Sequence, residues 1–370
     1  MTSIRLPDSP RILVSRTDKI GDLVLSTPVF SALRKRFPKS FLAALVFKET
    51  ESLVRGNPFL DEVVVYDKKE VHKNWFRTTF FGLNLRKYSF DAVIHLHPTH
   101  RVNFISYFAR IPIRIGYDVK SSFLLTHTIA EEKWQGRKHE AEYNFDLLRL
   151  IDVPQPEVLE LIVPLSAKGE VEFRNISLPE RYAVYHPSAS DSSKVWPPER
   201  LGRVASELYE QDGLFPVIVG SKTSEPDAQT MLSLMKTKPL DLSGKLSLEG
   251  LAFLIKKASI LISNDSGPVH IAAALGTPVL SIFGRNQAGL GTTRWRPISP
   301  RSFFLQQEVG CIECLAHNCQ IGFKCLMELT VEEVLKEAKE LLSNSKEVIS
   351  SLLYSREPQM MISFERKKNH

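Results

Sequence analysis

Residues 261–284 read LISNDSGPVHIAAALGTPVLSIFG and contain a nearly complete strand–turn–helix–strand unit. The apolar run from Ile260 to Ile262 predicts a buried strand, and the polar turn 263–267 leads into an alanine-rich helix that ends at Gly276. A second apolar run, 278–283, predicts the next strand, parallel to the first. A strand, a crossover helix and a parallel strand are typical of an α/β sheet.

The start of this predicted helix is a potential anion site. In such a unit the helix N-terminus lies at the carboxyl edge of the sheet, with unpaired N–H groups and the positive end of the helix dipole. Gly267 would let a phosphate or pyrophosphate approach the backbone, and Pro268 removes a donor that the first turn does not need. The alternative is an ordinary turn in which Asp265 or Ser266 caps the helix, and the residues alone leave both open.

The composition indicates a globular chain that is long enough for two domains. It has 370 residues, of which 43% are hydrophobic and 24% are charged. Residues 1–10 do not resemble a signal peptide and no apolar run suits a membrane span, so we expect a cytoplasmic protein. The net charge of +6 permits anionic partners, but the only basic tract is the short tail 365–368, and we expect no nucleic-acid partner.

Strand and helix patterns alternate along both halves of the chain. Predicted strands span 11–14, 41–47, 63–66, 91–96 and 113–117, then 182–186, 215–219, 260–262 and 278–283, with helices at 198–211, 225–236 and 248–258. The segment 152–179 is interpreted as the end of one domain and a linker. We therefore expect an α/β protein with two Rossmann-like doubly wound domains facing a cleft, over 1–170 and 171–345, and a tail over 346–370.

The loop after the first predicted strand reads TDKIGD over residues 17–22. It lacks the G-x-G-x-x-G pattern and is therefore not a dinucleotide fingerprint. Asp22 could act as a general base towards a hydroxyl group, or it could cap the next helix, and its position alone favours the cap. That helix begins either at Asp22, with a kink at Pro28, or at Pro28 itself.

Two loops of the second half also follow predicted strands. Residues 186–198 read HPSASDSSKVWPP, in which four serine hydroxyls and Lys194 could surround phosphate oxygens opposite the helix start at 266. This is not a Walker loop, and the alternative is a serine-rich surface turn. In the loop 220–225, Glu225 could accept hydrogen bonds from a ribose or base, or could simply favour the first turn of a helix.

Three spaced motifs together resemble the heptosyltransferases of glycosyltransferase family 9. They are ILVSRTDKIGDLVLSTPVFSALRKRFP (12–38), HPSASDSSKVWPPERLGRVASEL (186–208) and SNDSGPVHIAAALGTPVLSIFG (263–284), and the resemblance extends from 11 to 334. It implies an enzyme of the GT-B type that transfers heptose from ADP-heptose to the inner core of lipopolysaccharide, with inversion and without a metal or other cofactor. It also implies that the first domain binds the acceptor and the second the donor.

The resemblance also implies roles for single residues. The family's catalytic aspartate falls on Asp22, which would deprotonate the acceptor hydroxyl, so the resemblance reverses the preference for a cap. The phosphate-binding lysine falls on Lys194, which would neutralise the leaving diphosphate. Further substrate-binding positions fall on Ser188 and Ser190, in a loop one residue longer than the family pattern, on Asp265 for sugar hydroxyls, on Ser266, Gly267 and His270 for phosphate, and on Glu225 for the nucleoside.

Two further features each allow two interpretations. The cysteines Cys311, Cys314, Cys319 and Cys325 could form a structural zinc site, but reduced thiols are favoured. The basic and aromatic stretch 68–81 could lie on an anionic membrane surface, where a lipid A-linked acceptor would be found, although an amphipathic helix with a solvated basic face is slightly favoured. Alternatives to heptosyl transfer are the use of another nucleotide sugar, or a catalytically silent protein that binds at the membrane surface.

Overall fold

The computed structural model describes residues 4–311 and 313–351, without the side chains of 344–351. Its strands are β1 (Arg11–Arg16), β2 (Phe41–Phe47), β3 (Glu62–Tyr66), β4 (Ala92–His95), β5 (Ile113–Tyr117), β6 (His127–Ile129), β7 (Tyr182–His186), β8 (Phe215–Ile218), β9 (Leu240–Asp241), β10 (Ile260–Asn264), β11 (Val279–Phe283) and β12 (Ser302–Gln306). Its helices are α1 (Ile20–Val24), α2 (Thr27–Arg36), α3 (Trp75–Asn84), α4 (His100–Phe108), α5 (Glu140–Leu148), α6 (Ala167–Arg174), α7 (Pro198–Asp212), α8 (Glu225–Ser233), α9 (Leu248–Lys257), α10 (Gly267–Leu275), α11 (Thr292–Trp295), α12 (Lys324–Met327) and α13 (Val331–Ser351).

The strands form two parallel six-stranded sheets with the same internal order. The first runs β3-β2-β1-β4-β5-β6 and the second runs β12-β11-β10-β7-β8-β9. In each sheet the order in which strands are added reverses at the first strand. This reversal lies between β1 and β4 in one sheet and between β7 and β10 in the other. Loops diverge at such a reversal and leave a crevice at the carboxyl edge of the strands. The expected α/β fold with two doubly wound Rossmann-like sheets is confirmed.

The sheets are buried on both faces, as near-continuous apolar strands require. Every residue of β10 and β11 is buried. Helices α3 and α4 cover one face of the first sheet, over a core that includes Leu13, Leu45 and Ile105. The opposite face of that sheet belongs to a core that also contains residues of the second half, such as Leu254 and Val269. Among the described residues, the core that the two halves share therefore lies on one side of the first sheet.

The region after β1 differs from both predicted alternatives. Helix α1 begins at Ile20 and ends at Val24, and α2 begins at Thr27 with Pro28 as its second residue. Lys19 occupies the N-cap position of α1, so Asp22 lies within the first turn of that helix. The alternative in which Asp22 serves only as a helix cap is therefore wrong.

The segment predicted as a linker contains α6. Ser166 caps this helix by accepting a hydrogen bond from the Gly169 backbone at 3.1 Å, and Glu172 accepts one from Ser247 of the second half at 2.8 Å. A boundary at residue 170 thus falls inside α6, which packs with the second half. Helix α13 continues to Ser351, so the tail predicted from 346 begins within a helix, while 352–370 lie outside the described residues. None of the described helices combines the length and apolar character needed to span a bilayer.

Candidate active site

Asn264, the last residue of β10, ties two of the predicted loops together. Its Oδ1 atom accepts a hydrogen bond from the Trp196 backbone at 3.0 Å, and its Nδ2 atom donates to the Pro187 carbonyl at 2.6 Å. The loop after β7 is therefore fixed at both of its ends against the turn that opens α10. The two loops face each other at the carboxyl edge of the second sheet, as we expected.

A buried ion pair occupies the space between these loops. The Nζ atom of Lys194 lies 2.6 Å from Oδ2 of Asp265, and the Arg285 guanidinium lies 3.5 Å from the same oxygen. Burial lowers the pKa of Lys194, whereas the neighbouring Asp265 carboxylate raises it, and burial dominates. Two cations thus share one carboxylate, which leaves an excess of positive charge at the helix start.

Helix α10 begins without a side-chain cap. Ser266 occupies the N-cap position, but its hydroxyl lies 2.9 Å from the Ser263 hydroxyl and 3.2 Å from Nδ1 of His186. Neither Asp265 nor Ser266 makes a capping bond, so the alternative that either one caps this helix is wrong. The uncapped end faces the same region as Lys194 and retains its positive dipole end.

Two glycines bring α1 of the first half into direct contact with α10 of the second. A Cβ atom on Gly21 would lie 2.6 Å from Cδ2 of His270, and a Cβ atom on Gly267 would lie 2.9 Å from Cβ of Ile20. The space beside the Gly267 α-carbon, expected to admit an anion, is therefore filled by Ile20. Burial lowers the pKa of His270 to about 4, so its imidazole is neutral at pH 7.

Asp22 lies immediately beside this contact and pairs with Arg16 at the end of β1. Its Oδ1 atom accepts a hydrogen bond from Nη2 of Arg16 at 2.6 Å, and its side chain keeps 16% of its surface exposed. Burial would lower the pKa of Arg16, but three carboxylates around it raise it. Those carboxylates are Asp22, Asp18 at 3.0 Å and Glu140 at 3.0 Å.

Glu140 extends the network from the first half to the second. Its carboxylate is fully buried and contacts Arg16, Lys133 at 2.7 Å and Arg294 at 2.7–2.8 Å. Burial would raise the pKa of Glu140, but the three cations hold it well below its usual range. A buried carboxylate with several charge-assisted hydrogen bonds is held in one position.

The remaining predicted residues are less closely gathered. Ser188 is buried and its hydroxyl has no hydrogen-bond partner among the described residues. Ser190 is exposed, and Glu225 is exposed in the first turn of α8. In the described part of the chain neither of these two contacts the Lys194–Asp265 pair, and Glu225 keeps both of its predicted alternatives.

The model of glycosyltransferase family 9 (heptosyltransferase) matches residues 79–324, about two thirds of the chain. The chain belongs to this family. It is therefore a glycosyltransferase, related to the heptosyltransferases of lipopolysaccharide core biosynthesis.

Relatives match this member of family 9 over most of their own length. It is 26% identical to lipopolysaccharide heptosyltransferase 3 of Escherichia coli over 294 residues, which cover 75% of this chain and 84% of that one. It is 22% identical to lipopolysaccharide heptosyltransferase 2 of E. coli K12, over 90% of this chain and 98% of that one.

Solved structures confirm the two-domain GT-B fold of this family. The structure of a family 9 glycosyltransferase from Veillonella parvula is similar, with a TM-score of 0.82 and 24% identity over 93% of this chain and all of that one. A heptosyltransferase of E. coli solved with ADP gives a TM-score of 0.69 at 19% identity, over 90% of this chain and 99% of that one.

Six charged residues of this candidate site were missed from the sequence. They are Arg16, Asp18, Lys133, Glu140, Arg285 and Arg294. Arg16 ends β1 and Arg285 follows β11 by two residues, so a search of every strand end for charged residues would have found both. Glu140 is the first residue of α5 and Arg294 lies within α11, and no pattern in the sequence marks either residue.

The four cysteines line one cavity beside Arg285 and are all unpaired thiols. The Sγ atom of Cys325 donates to the Gly284 carbonyl at 3.0 Å. Across the described chain, no group of three or more His, Cys, Asp and Glu side chains is placed to hold a metal ion. The structure therefore lends no support to a zinc site, and reduced thiols stay a prediction.

Proposed function

We propose that this chain transfers a heptose from ADP-heptose to the inner core of lipopolysaccharide, with inversion at the anomeric carbon. The observation that supports this proposal is the α1–α10 contact, which brings Asp22 of the first half beside the cationic helix start of the second. A base from one half and a leaving-group site from the other suit a displacement in which the two act on opposite faces of the sugar.

In the proposed mechanism Asp22 takes the proton of the acceptor hydroxyl. Its Oδ1 atom is held by Arg16, and Oδ2 makes no hydrogen bond within the described chain, which leaves that oxygen for the hydroxyl. The acceptor oxygen then bonds to the anomeric carbon while the bond from that carbon to the ADP oxygen breaks. General-base assistance of this kind is worth about 10²–10⁴-fold in rate.

Lys194 and Arg285 would neutralise the ADP that departs. Both cations now share the carboxylate of Asp265. When the donor binds, we propose that Asp265 accepts hydrogen bonds from sugar hydroxyls and that Lys194 turns towards the diphosphate. Charge stabilisation by preorganised cations and a helix N-terminus acts where negative charge develops.

The other predicted residues complete the proposed donor site. Because Ile20 fills the space beside the Gly267 α-carbon, Ser266, Gly267 and His270 would lie at the phosphate end through the backbone of the first turn of α10. The buried hydroxyl of Ser188, which lacks a partner among the described residues, would donate a hydrogen bond to ADP-heptose. Ser190 and Glu225 are proposed contacts of the phosphate loop and the nucleoside. No metal or other cofactor takes part in this mechanism.

The proposed domain roles follow from the same division. The first half binds the lipid A-linked core oligosaccharide, and the second binds ADP-heptose, with α6 counted in the second half. We propose a cytoplasmic enzyme that works at the cytoplasmic face of the inner membrane, where such an acceptor is presented.

The test is ADP release from ADP-heptose by the full chain, with and without deacylated inner-core acceptors, followed by NMR assignment of the anomeric configuration of the product. We expect acceptor-dependent release and inverted configuration. Turnover of a different nucleotide sugar, with none of ADP-heptose, would overturn the donor assignment. Binding of core oligosaccharide without turnover of any donor would indicate a catalytically silent protein.

A further inference from the structure

The outer layer of the first sheet exposes several large aromatic side chains. Phe76 of α3 is 80% exposed and Phe123, in the turn after β5, is 79% exposed. Trp75, Phe80 and Tyr107 expose about half of their surfaces. We call these five residues the aromatic face. Exposed apolar side chains that cluster mark interaction surfaces more often than isolated ones do.

The packing of α3 against α4 holds the aromatic face outward. A Cβ atom on Gly82 would lie 2.8 Å from the Ile105 carbonyl oxygen, so this side of α3 lies directly on α4. Phe76 and Phe80 are four residues apart and share the other side of α3. The inner side of α3 is thus packed against the protein, whereas the phenyl rings of Phe76 and Phe80 are mostly exposed.

The start of α3 is also fixed. Arg101 of α4 donates hydrogen bonds to the carbonyl oxygens of His72 and Lys73 at 2.9 and 2.8 Å, and its guanidinium lies 5.2 Å from the Trp75 ring. Trp75 in turn makes an edge contact with Phe104. The aromatic face is therefore presented by a rigid layer, which limits the entropy lost when it binds a partner.

The charge around the aromatic face is mostly positive. Residues 68–124, which include all five aromatic residues, contain ten Lys or Arg residues and three acidic residues. The acidic residues are Glu70, Asp91 and Asp118. The ten are Lys68, Lys69, Lys73, Arg77, Arg86, Lys87, Arg101, Arg110, Arg114 and Lys120. Lys73, Arg77 and Arg110 are exposed beside the aromatic side chains.

The aromatic face extends to the edge of the sheet at which Asp22 lies. Trp75 begins α3 after β3, and Phe123 follows β5, so both lie beyond the carboxyl ends of their strands. His100, at the start of α4, lies 2.7 Å from the Ser121 hydroxyl through its Nδ1 atom and thus joins α4 to the turn that carries Phe123. The core under α3 and α4 is separate from the core that both halves share, so this layer is not used to join the halves.

We propose that the aromatic face binds the surface of a bilayer that contains anionic phospholipid. Phe76, Phe80 and Phe123 enter the headgroup region, and Lys73, Arg77 and Arg110 contact the phosphates. The combination of exposed rings with a large excess of cations over carboxylates matches this occupant better than it matches a protein surface. Only the purpose of this binding, which is to present a lipid-linked acceptor to Asp22, rests on the proposed function.

The experiment is co-sedimentation of the full chain with phosphatidylcholine vesicles that contain or lack phosphatidylglycerol. The test variants are Phe76→Ser/Phe80→Ser and Lys73→Gln/Arg77→Gln. Matched controls with similar exposure in the second half are Val171→Ser/Leu234→Ser and Lys236→Gln/Lys238→Gln. Thermal unfolding of each of the four variants checks that it is folded.

We expect the wild type and both controls to bind only the anionic vesicles, with affinity that falls as salt rises. Loss of two cations should weaken binding roughly 25-fold, at about fivefold for each charge. Loss of the two phenyl rings should weaken it roughly tenfold or more. Equal binding to neutral vesicles, unchanged binding by the test variants, or binding only when lipopolysaccharide is added would each overturn the proposal.

A second measurement separates this proposal from the proposed function. Heptosyl transfer to a deacylated, soluble acceptor should be unchanged in the test variants, whereas transfer to an acceptor embedded in anionic vesicles should fall in parallel with binding. If the chain binds anionic vesicles but has no transferase activity, the proposed role of the aromatic face stands and only the proposed reaction is overturned. If the chain is active but does not bind these vesicles, the proposed role of the aromatic face is overturned.

Discussion

Glu140 and Arg294 are joined across the boundary between the two halves by one carboxylate oxygen. Oε2 of Glu140 accepts a hydrogen bond from Nε of Arg294 at 2.8 Å and lies 2.7 Å from Nη2. The other oxygen, Oε1, contacts Arg16, which in turn holds Asp22. The orientation of Asp22 and the attachment of the second half therefore depend on the same buried side chain.

Glu140→Gln should lower the free energy of unfolding by about 3–5 kcal/mol, because it removes the negative charge from a cluster of three buried cations. Chemical denaturation at pH 7 measures the change. The matched control is Glu170→Gln, since Glu170 pairs with Arg174 one helical turn away at the surface. That variant should cost about 0.5 kcal/mol. Equal effects of the two substitutions would contradict a structural role for the buried cluster.

Asp22→Asn should lower kcat of heptosyl transfer by about 10²–10⁴-fold while the affinity for ADP-heptose is retained. The amide cannot accept the hydroxyl proton, but Arg16 still pairs with Asp18 and Glu140, so the site keeps its shape. ADP release and calorimetric donor binding measure the two quantities. Asp118→Asn, an exposed carboxylate after β5, should leave kcat unchanged. A variant that keeps its rate would exclude Asp22 as the base.

Lys194→Met should lower kcat by about 10²–10³-fold, because it removes a cation from the place where the diphosphate gains charge. Arg285 remains near Asp265 and prevents that carboxylate from being left wholly unpaired. Lys222→Met, in the exposed loop after β8, is the control and should be active. Loss of donor affinity with an unchanged kcat would instead assign Lys194 to ground-state binding alone.

The protein should lose stability as the pH falls from about 6.5 to 4. Burial lowers the pKa of five histidines to about 3 or 4: His95, His97 and His139 to about 3, and His186 and His270 to about 4. In this window the unfolded chain takes up protons that the folded chain refuses, at about 1.4 kcal/mol per histidine and pH unit.

The main opposing contribution comes from Asp18, whose pKa burial raises to about 7. As the pH falls through this range, this single carboxyl group adds stability while the five histidines remove it. Urea denaturation at pH 7.5, 6 and 5 measures the sum. His270→Gln should reduce the pH dependence by about one proton, whereas replacement of the exposed His127 should not change it. A midpoint that does not depend on pH would contradict the burial of these side chains.

Hydrophobic periodicity was sufficient to predict the central strands, because β1, β2, β7, β10 and β11 are buried apolar runs. It missed β6, β9 and β12, which are only two to five residues long and partly exposed. The rule that loops at the carboxyl ends of strands carry the site was enough to single out the loops that contain Asp22 and Lys194. The family resemblance was needed to prefer Asp22 as a base over a helix cap. The rule was silent on the pairing of Arg16 with Glu140, which is 124 positions further along the chain, since that pairing depends on tertiary structure alone.

The contact of Gly21 with His270 and of Gly267 with Ile20 contains almost no compressible side chain on the glycine side. Nearly bare backbone of one helix rests on the other. A displacement of α10 therefore acts on α1 through two side chains, His270 and Ile20. The donor half and the proposed base are mechanically coupled at this point, and one added methyl group at either glycine acts as a wedge between them.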